Sequence, residues 1–107
     1  MKLLFVCNAN LNRSPTFENY FKKNFPQHET RSAGIYYGYP YQLNEELMEW
    51  ADKIFVMDQS QKKHMYYRYA MHRKKVEVVG ISDEYDPDEI NLIELIDFWL
   101  SDKNIEK

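Results

Sequence analysis

The stretch that decides the fold is Leu3-Leu4-Phe5-Val6-Cys7-Asn8-Ala9-Asn10-Leu11-Asn12-Arg13-Ser14-Pro15. Its first four residues form a short apolar run, the mark of a buried strand. The segment from Pro15 through Phe17, Tyr20 and Phe21 has helical spacing, and Ser14-Pro15 is a helix start: an N-cap, then a proline whose missing N–H is no loss there. A cysteine thus leaves a strand, five residues loop round, and Arg13 arrives at a helix N-terminus. That layout cradles an anion. Successive backbone N–H groups of residues 8–12 form a concave nest, and the helix adds its free N–H groups and positive dipole end. Arg13 can close the nest with a two-pronged grip on two oxygens of a phosphate. Whatever holds a bound dianion also favours a thiolate at Cys7, which is then a nucleophile aimed at phosphorus. Asn8, Asn10 and Asn12 suit such a loop, because asparagine tolerates left-handed backbone. A buried cysteine at a strand end is often only packing. The strand before it and the Ser-Pro start after it supply the context that Cys-x5-Arg needs.

Working outward, the chain of 107 residues is expected to form one domain, residues 1–107, with a single core. Its lone cysteine excludes an internal disulfide and fits a reducing compartment, so a cytoplasmic location is expected. The apolar run at the start is too short for a signal peptide or a membrane span. A net charge of −3 argues against a general nucleic-acid binder.

Strands are predicted at 2–6, 30–33, 54–57 and 76–79, with helices at 14–24, 43–51, 59 to about 71, and about 87–101. This alternation predicts an α/β three-layer sandwich with a four-stranded parallel sheet flanked by helices. Leu43, Leu47, Trp50 and Ala51 read as a core-facing stripe, and Ile90, Ile93, Ile96, Trp99 and Leu100 as another. Asp58 reads as an N-cap rather than a functional acid. The tail from Ser101 is polar.

Residues 62–75 interleave Lys62, Lys63, Arg68, Arg73, Lys74 and Lys75 with tyrosines. Such a strip can mark a nucleic-acid surface. The reading favoured by the acidic total charge is a solvated helix whose basic stems lie over the rings. His64 and His72 lie eight apart and His28 is remote, so the spacing offers no metal site with carboxylate support, and none is expected. No cofactor motif is present in the sequence.

The cradle residues resemble the signature of the low-molecular-weight protein tyrosine phosphatases, an apolar strand followed by V-C-x-G-N-x-C-R-S-P. Val6-Cys7, Asn10 and Arg13-Ser14-Pro15 match it in position. Arg31-Ser32-Ala33-Gly34 is similar to the family's S-A-G after the second strand, and Trp50-Ala51-Asp52-Lys53-Ile54-Phe55-Val56-Met57-Asp58 to its A-D-x-I-x-x-M-D segment. The resemblance covers most of the chain, most closely the short predicted-phosphatase branch. Ala9 stands where the family usually has glycine, and Asn12 where many members carry a second cysteine. The related arsenate reductases need further cysteines, which this chain lacks.

The resemblance implies strand order 2-1-3-4 and a metal-independent hydrolase of phosphomonoesters. Cys7 would be the nucleophile and Arg13 the phosphate clamp, with the backbone of Asn8, Ala9, Asn10, Leu11 and Asn12 binding the phosphate. Ser14 would donate to the thiolate, and Asn10 would hold the loop. The residues after the second strand, with Tyr36 and Tyr37, would wall the substrate cleft; the alternative is that these rings cap the core. A carboxylic acid must protonate the departing oxygen. Asp86-Pro87 looks like the family's D-P pair, yet Asp86-Pro87-Asp88-Glu89 is also a capping box. Aligned instead on Ile81-Ser82-Asp83-Glu84-Tyr85, the acid is Asp83 and the aromatic partner Tyr85. Asp83 is the expected general acid and Asp86 the alternative. The expected substrate is a phosphotyrosine protein or a small aromatic phosphomonoester, with no membrane partner. Two rivals stand beside it: a phosphate-binding pseudophosphatase, motivated by Ala9, and a phosphatase of nucleotides or RNA ends, motivated by the basic aromatic strip.

Overall fold

The structure, a computed structural model, describes residues 1–7, 13–35 and 42–80, with Arg13 and Ser14 described through their backbone. In chain order the elements are β1 (Lys2–Cys7), α1 (Arg13–Asn24), β2 (Glu29–Gly34), α2 (Glu45–Trp50), β3 (Lys53–Val56), α3 (Gln59–Arg68), a 3-10 helix (Ala70–Lys75) and β4 (Val76–Val78). The four strands form one sheet in the order β2-β1-β3-β4, every pair parallel, as the sequence led us to expect. Because β1 is central it is buried on both faces, which is why it reads as an unbroken apolar run.

The pleat divides β1 between two cores. Leu3, Phe5 and Cys7 face one way and pack with Phe17, Phe21 and Phe25 around α1, joined by Phe55 and Met57. Leu4 and Val6 face the other way, against Leu43, Met48, Ile54, Val56 and Met65 beneath α2 and α3. Two helical layers thus enclose the sheet. Burying each such large apolar side chain contributes about 1.5–3 kcal/mol.

Hydrogen bonds fix the edges of this frame. The Asp52 carboxylate accepts from the Lys2 N–H at 2.8 Å, and the Asp52 N–H donates to the Lys2 carbonyl at 2.8 Å. Glu18 on α1 accepts from the Ser32 hydroxyl on β2 at 2.5 Å and pairs with Lys22 at 2.5 Å. Arg31 lies over the Trp50 ring, 4.3 Å from its centroid. The similar-looking segments 31–34 and 50–58 are therefore largely scaffold. Asp58 does cap α3, with a full capping box in which Gln61 answers it.

The strands differ from the sequence reading by a residue at one or both ends, and the three described α-helices differ in their bounds. Helix α1 begins at Arg13, so Ser14 lies within its first turn rather than capping it. Helix α2 spans only Glu45–Trp50, because Asn44 caps it by accepting from the Leu47 N–H at 2.8 Å. Helix α3 stops at Arg68, where Tyr69 takes φ −125° and ψ 52°, and the chain tightens into the 3-10 helix, burying His72. The helix expected at about 87–101 and the polar tail lie outside the described residues. No described helix is long and apolar enough to cross a membrane.

Candidate active site

All four parallel strands send their carboxyl ends to one edge of the sheet. The chain leaves β1 towards β2 on one side and returns to β3 on the other, so the carboxyl end of β1 is the switch point where open α/β sheets receive ligands. Cys7 is the last residue of β1 and is buried. Its register partner is Gly34, and its carbonyl accepts from the Ile35 N–H at 3.0 Å. Strand alternation puts Cys7 on the α1 side of the sheet, in one cluster with Phe17. Helix α1 opens at Arg13, so five residues of sequence separate the cysteine from that helix's N-terminus. The strand's pleat thus places the thiol on the side of the sheet against which α1 packs.

Neighbouring strand ends complete the edge. The Gly34 carbonyl accepts from the Leu43 N–H at 2.8 Å, and Gly34 bridges to Gln42, so the residues on either side of 36–41 are held beside Cys7. On the other side the Met57 N–H donates to Gln61 Oε1 at 2.7 Å, which ties off β3. The Val79 N–H donates to the Val56 carbonyl at 2.8 Å and the Gly80 N–H to the Met57 carbonyl at 2.9 Å. Gly80 has φ +86°, and a Cβ there would meet nothing within 4 Å, so it is the left-handed turn rather than crowding that calls for glycine. The chain therefore enters residues 81 onward from the same edge that Cys7 occupies.

Of the sequence-derived site residues, Cys7 and the backbone of Arg13 and Ser14 are brought to this edge. Asn8, Ala9, Asn10, Leu11, Asn12, Tyr36, Tyr37, Asp83, Tyr85 and Asp86 lie outside the described residues. Histidine spacing concealed one constellation: His72 does have carboxylate support, from Glu45 and Glu49 on α2. Their separation in sequence gave no local motif. In the basic strip, Lys62 lies 5.2 Å from the Tyr66 ring centroid and Arg68 5.9 Å from that of Tyr69. In both pairs it is the charged end of the side chain that lies over the ring, a cation–π arrangement.

A thiol at the carboxyl end of a central parallel strand, six positions before the start of a helix, defines a class of proteins, and comparison with known proteins identifies it. No family model matches the chain. It is 33% identical over 116 aligned positions to the low molecular weight protein-tyrosine-phosphatase Ptp of Acinetobacter johnsonii, covering 81% of this chain and 82% of that protein. Among solved structures, a mutant of YwlE from Bacillus subtilis superposes with a TM-score of 0.73 at 26% identity, over 94% of this chain and 92% of that one. The YwlE arginine phosphatase carrying a phosphorylated active-site serine gives 0.73 at 25%, over 94% and 90%. Wzb of Vibrio vulnificus with benzylphosphonate gives 0.77 at 23%, over 97% and 98%, a likeness of fold. The chain is a cysteine-based phosphatase of the protein-tyrosine-phosphatase type. It belongs to the low-molecular-weight protein-tyrosine-phosphatase family, whose members are metal-independent hydrolases of phosphorylated substrates.

Proposed function

We propose that this chain hydrolyses phosphomonoesters with aromatic leaving groups, phosphotyrosine in a protein or a small aromatic phosphate, through a phosphocysteine at Cys7. The observation that carries the reading is the position of Cys7: last in β1, at the switch point, on the α1 side, with α1 opening at Arg13. Cys7 Sγ attacks phosphorus in line, the P–S bond forms, and the bond to the leaving oxygen breaks. The N–H groups of residues 8–12 and the Arg13 guanidinium hold the equatorial oxygens. Asp83 gives its proton to the leaving phenoxide, with Asp86 the alternative donor. The ionised carboxylate then takes a proton from the water that displaces Cys7 and releases phosphate. Ser14 donates to the sulfur and so improves it as the second leaving group. Asn10 holds the loop, while Tyr36, Tyr37 and Tyr85 supply aromatic walls. The benzylphosphonate held by the Vibrio protein is an aromatic phosphate mimic and supports this substrate class.

A second reading is phosphoarginine in proteins, favoured by the likeness to an arginine phosphatase. One experiment addresses both. Hydrolysis of para-nitrophenyl phosphate in EDTA is followed across pH for wild type and Cys7→Ser, with phosphotyrosine and phosphoarginine peptides in parallel. The proposal expects turnover of the aromatic esters that Cys7→Ser abolishes. Turnover of phosphoarginine alone favours the second reading, and binding of phosphate by a folded, inactive wild type favours the pseudophosphatase. Asp83→Ala should lower the rate most for poor leaving groups; if only Asp86→Ala does so, the acid is Asp86.

A further inference from the structure

On the opposite face of the sheet from Cys7, three metal-capable side chains converge. Glu45 and Glu49 sit one turn apart on α2, so both carboxylates share one side of the helix. His72 comes from the 3-10 helix, 27 residues beyond Glu45, and its Nε2 lies 2.5 Å from Glu45 Oε1 and 3.6 Å from Glu49 Oε1. One nitrogen and two oxygens thus fall within 4.8 Å of one another. The His72 side chain is 8% exposed, while those of Glu45 and Glu49 are 61% and 68% exposed. The imidazole is held in the core, while the two carboxylates reach it from the solvent side.

Hydrogen bonding does not account for the convergence. Nε2 carries at most one proton and can serve one acceptor. Glu45 takes that place, and Glu49 at 3.6 Å is beyond hydrogen-bond range. Two carboxylates at i, i+4 also repel, by a few tenths of a kcal/mol. A divalent cation satisfies all three groups together. With Zn–N and Zn–O bonds of about 2.0–2.2 Å, ligand atoms of a tetrahedral site stand about 3.3–3.5 Å apart. The spacing between His72 and Glu49 is already close to that, and Glu45 reaches it by withdrawing about 1 Å. An imidazole with two carboxylates is a borderline donor set suited to zinc. The exposure of both carboxylates gives an ion direct access from solvent.

We propose that Glu45, Glu49 and His72 form a zinc site that clamps α2 to the 3-10 helix. Lys75 joins the same two elements, donating from Nζ to the Met48 carbonyl at 2.8 Å. The ion lies apart from the cysteine chemistry and takes no part in phosphoryl transfer.

The test uses EDTA-stripped Cys7→Ser protein, because a thiol would itself take zinc, and reads zinc stoichiometry by equilibrium dialysis alongside the melting temperature. One zinc per chain with a raised melting temperature is expected. The Glu45→Gln/Glu49→Gln variant, altered only at exposed positions, should fold as the parent does in EDTA, bind zinc at least about tenfold more weakly, and lose the zinc-dependent rise in melting temperature. His72→Gln should behave likewise towards zinc. No zinc bound at micromolar concentration, or equal binding by parent and double variant, overturns the proposal.

Discussion

Phe5 stands at the meeting point of three rings, with Phe17, Phe21 and Phe55 at centroid distances of 5.1, 5.0 and 5.3 Å. It is fully buried directly beneath the strand end that bears Cys7. Phe5→Ala should destabilise the protein by about 3–5 kcal/mol, read from the urea midpoint, because neither the sheet nor α1 can collapse into the space left. Ser32 makes a smaller but charge-assisted contact with Glu18. Ser32→Ala should cost about 1.5–3 kcal/mol by the same measurement. At this scale the sequence was legible where one residue's neighbours in the chain determine its surroundings. The unbroken apolar run Leu3 to Val6 marks a strand buried on both faces, while the side the thiol takes emerges only with the packing of α1. The tie between Ser32 and Glu18 was not legible, because a helix residue and a strand residue meet there through tertiary packing alone.

The elements were legible in kind and order, less so in their ends. Helix α3 starts where Asp58 announces it, with Gln61 answering from N3. Asp58→Ala should cost about 1 kcal/mol, within a range of about 0.5–2, in thermal or urea unfolding. Gln61→Ala should cost about 1–3 kcal/mol, since the buried side chain also accepts from the Met57 N–H at the end of β3. The stop at Arg68 was hidden because Tyr69-Ala70-Met71 holds neither glycine nor proline. Burial of His72 and the entry of Val76 into the sheet impose that stop from outside the helix. The group formed by Glu45, Glu49 and His72 depends on that stop, so spacing rules applied to a continuous helix could not find it.

Across the whole molecule, protection should follow the sheet's order. Amides of Leu4, Phe5 and Val6 in central β1 should exchange with deuterium more slowly than those of Val76 to Val78 in three-residue β4, followed by NMR at fixed pH. Charge is also distributed at this scale. Residues 59–75 hold six lysines and arginines and no acid, although the chain carries −3 overall. Composition disclosed that asymmetry. It could not disclose that Tyr67 and Met71 would stand 93% and 94% exposed beside those cations, which depends on where α3 ends.

The all-parallel pairing also sets a timetable for synthesis. Lys2 meets Asp52 across fifty positions of chain, and β1 has no hairpin partner nearby. While the polypeptide is being made, Leu3-Leu4-Phe5-Val6 emerges ahead of both its partner strands and stays without its second neighbour until residue 56 has followed. Closing such long loops comes before any reward from pairing, so the nascent chain carries a sticky apolar strand until β3 has been made. Its hazard of misassociation is therefore greatest before β3 exists, not after release of the finished chain.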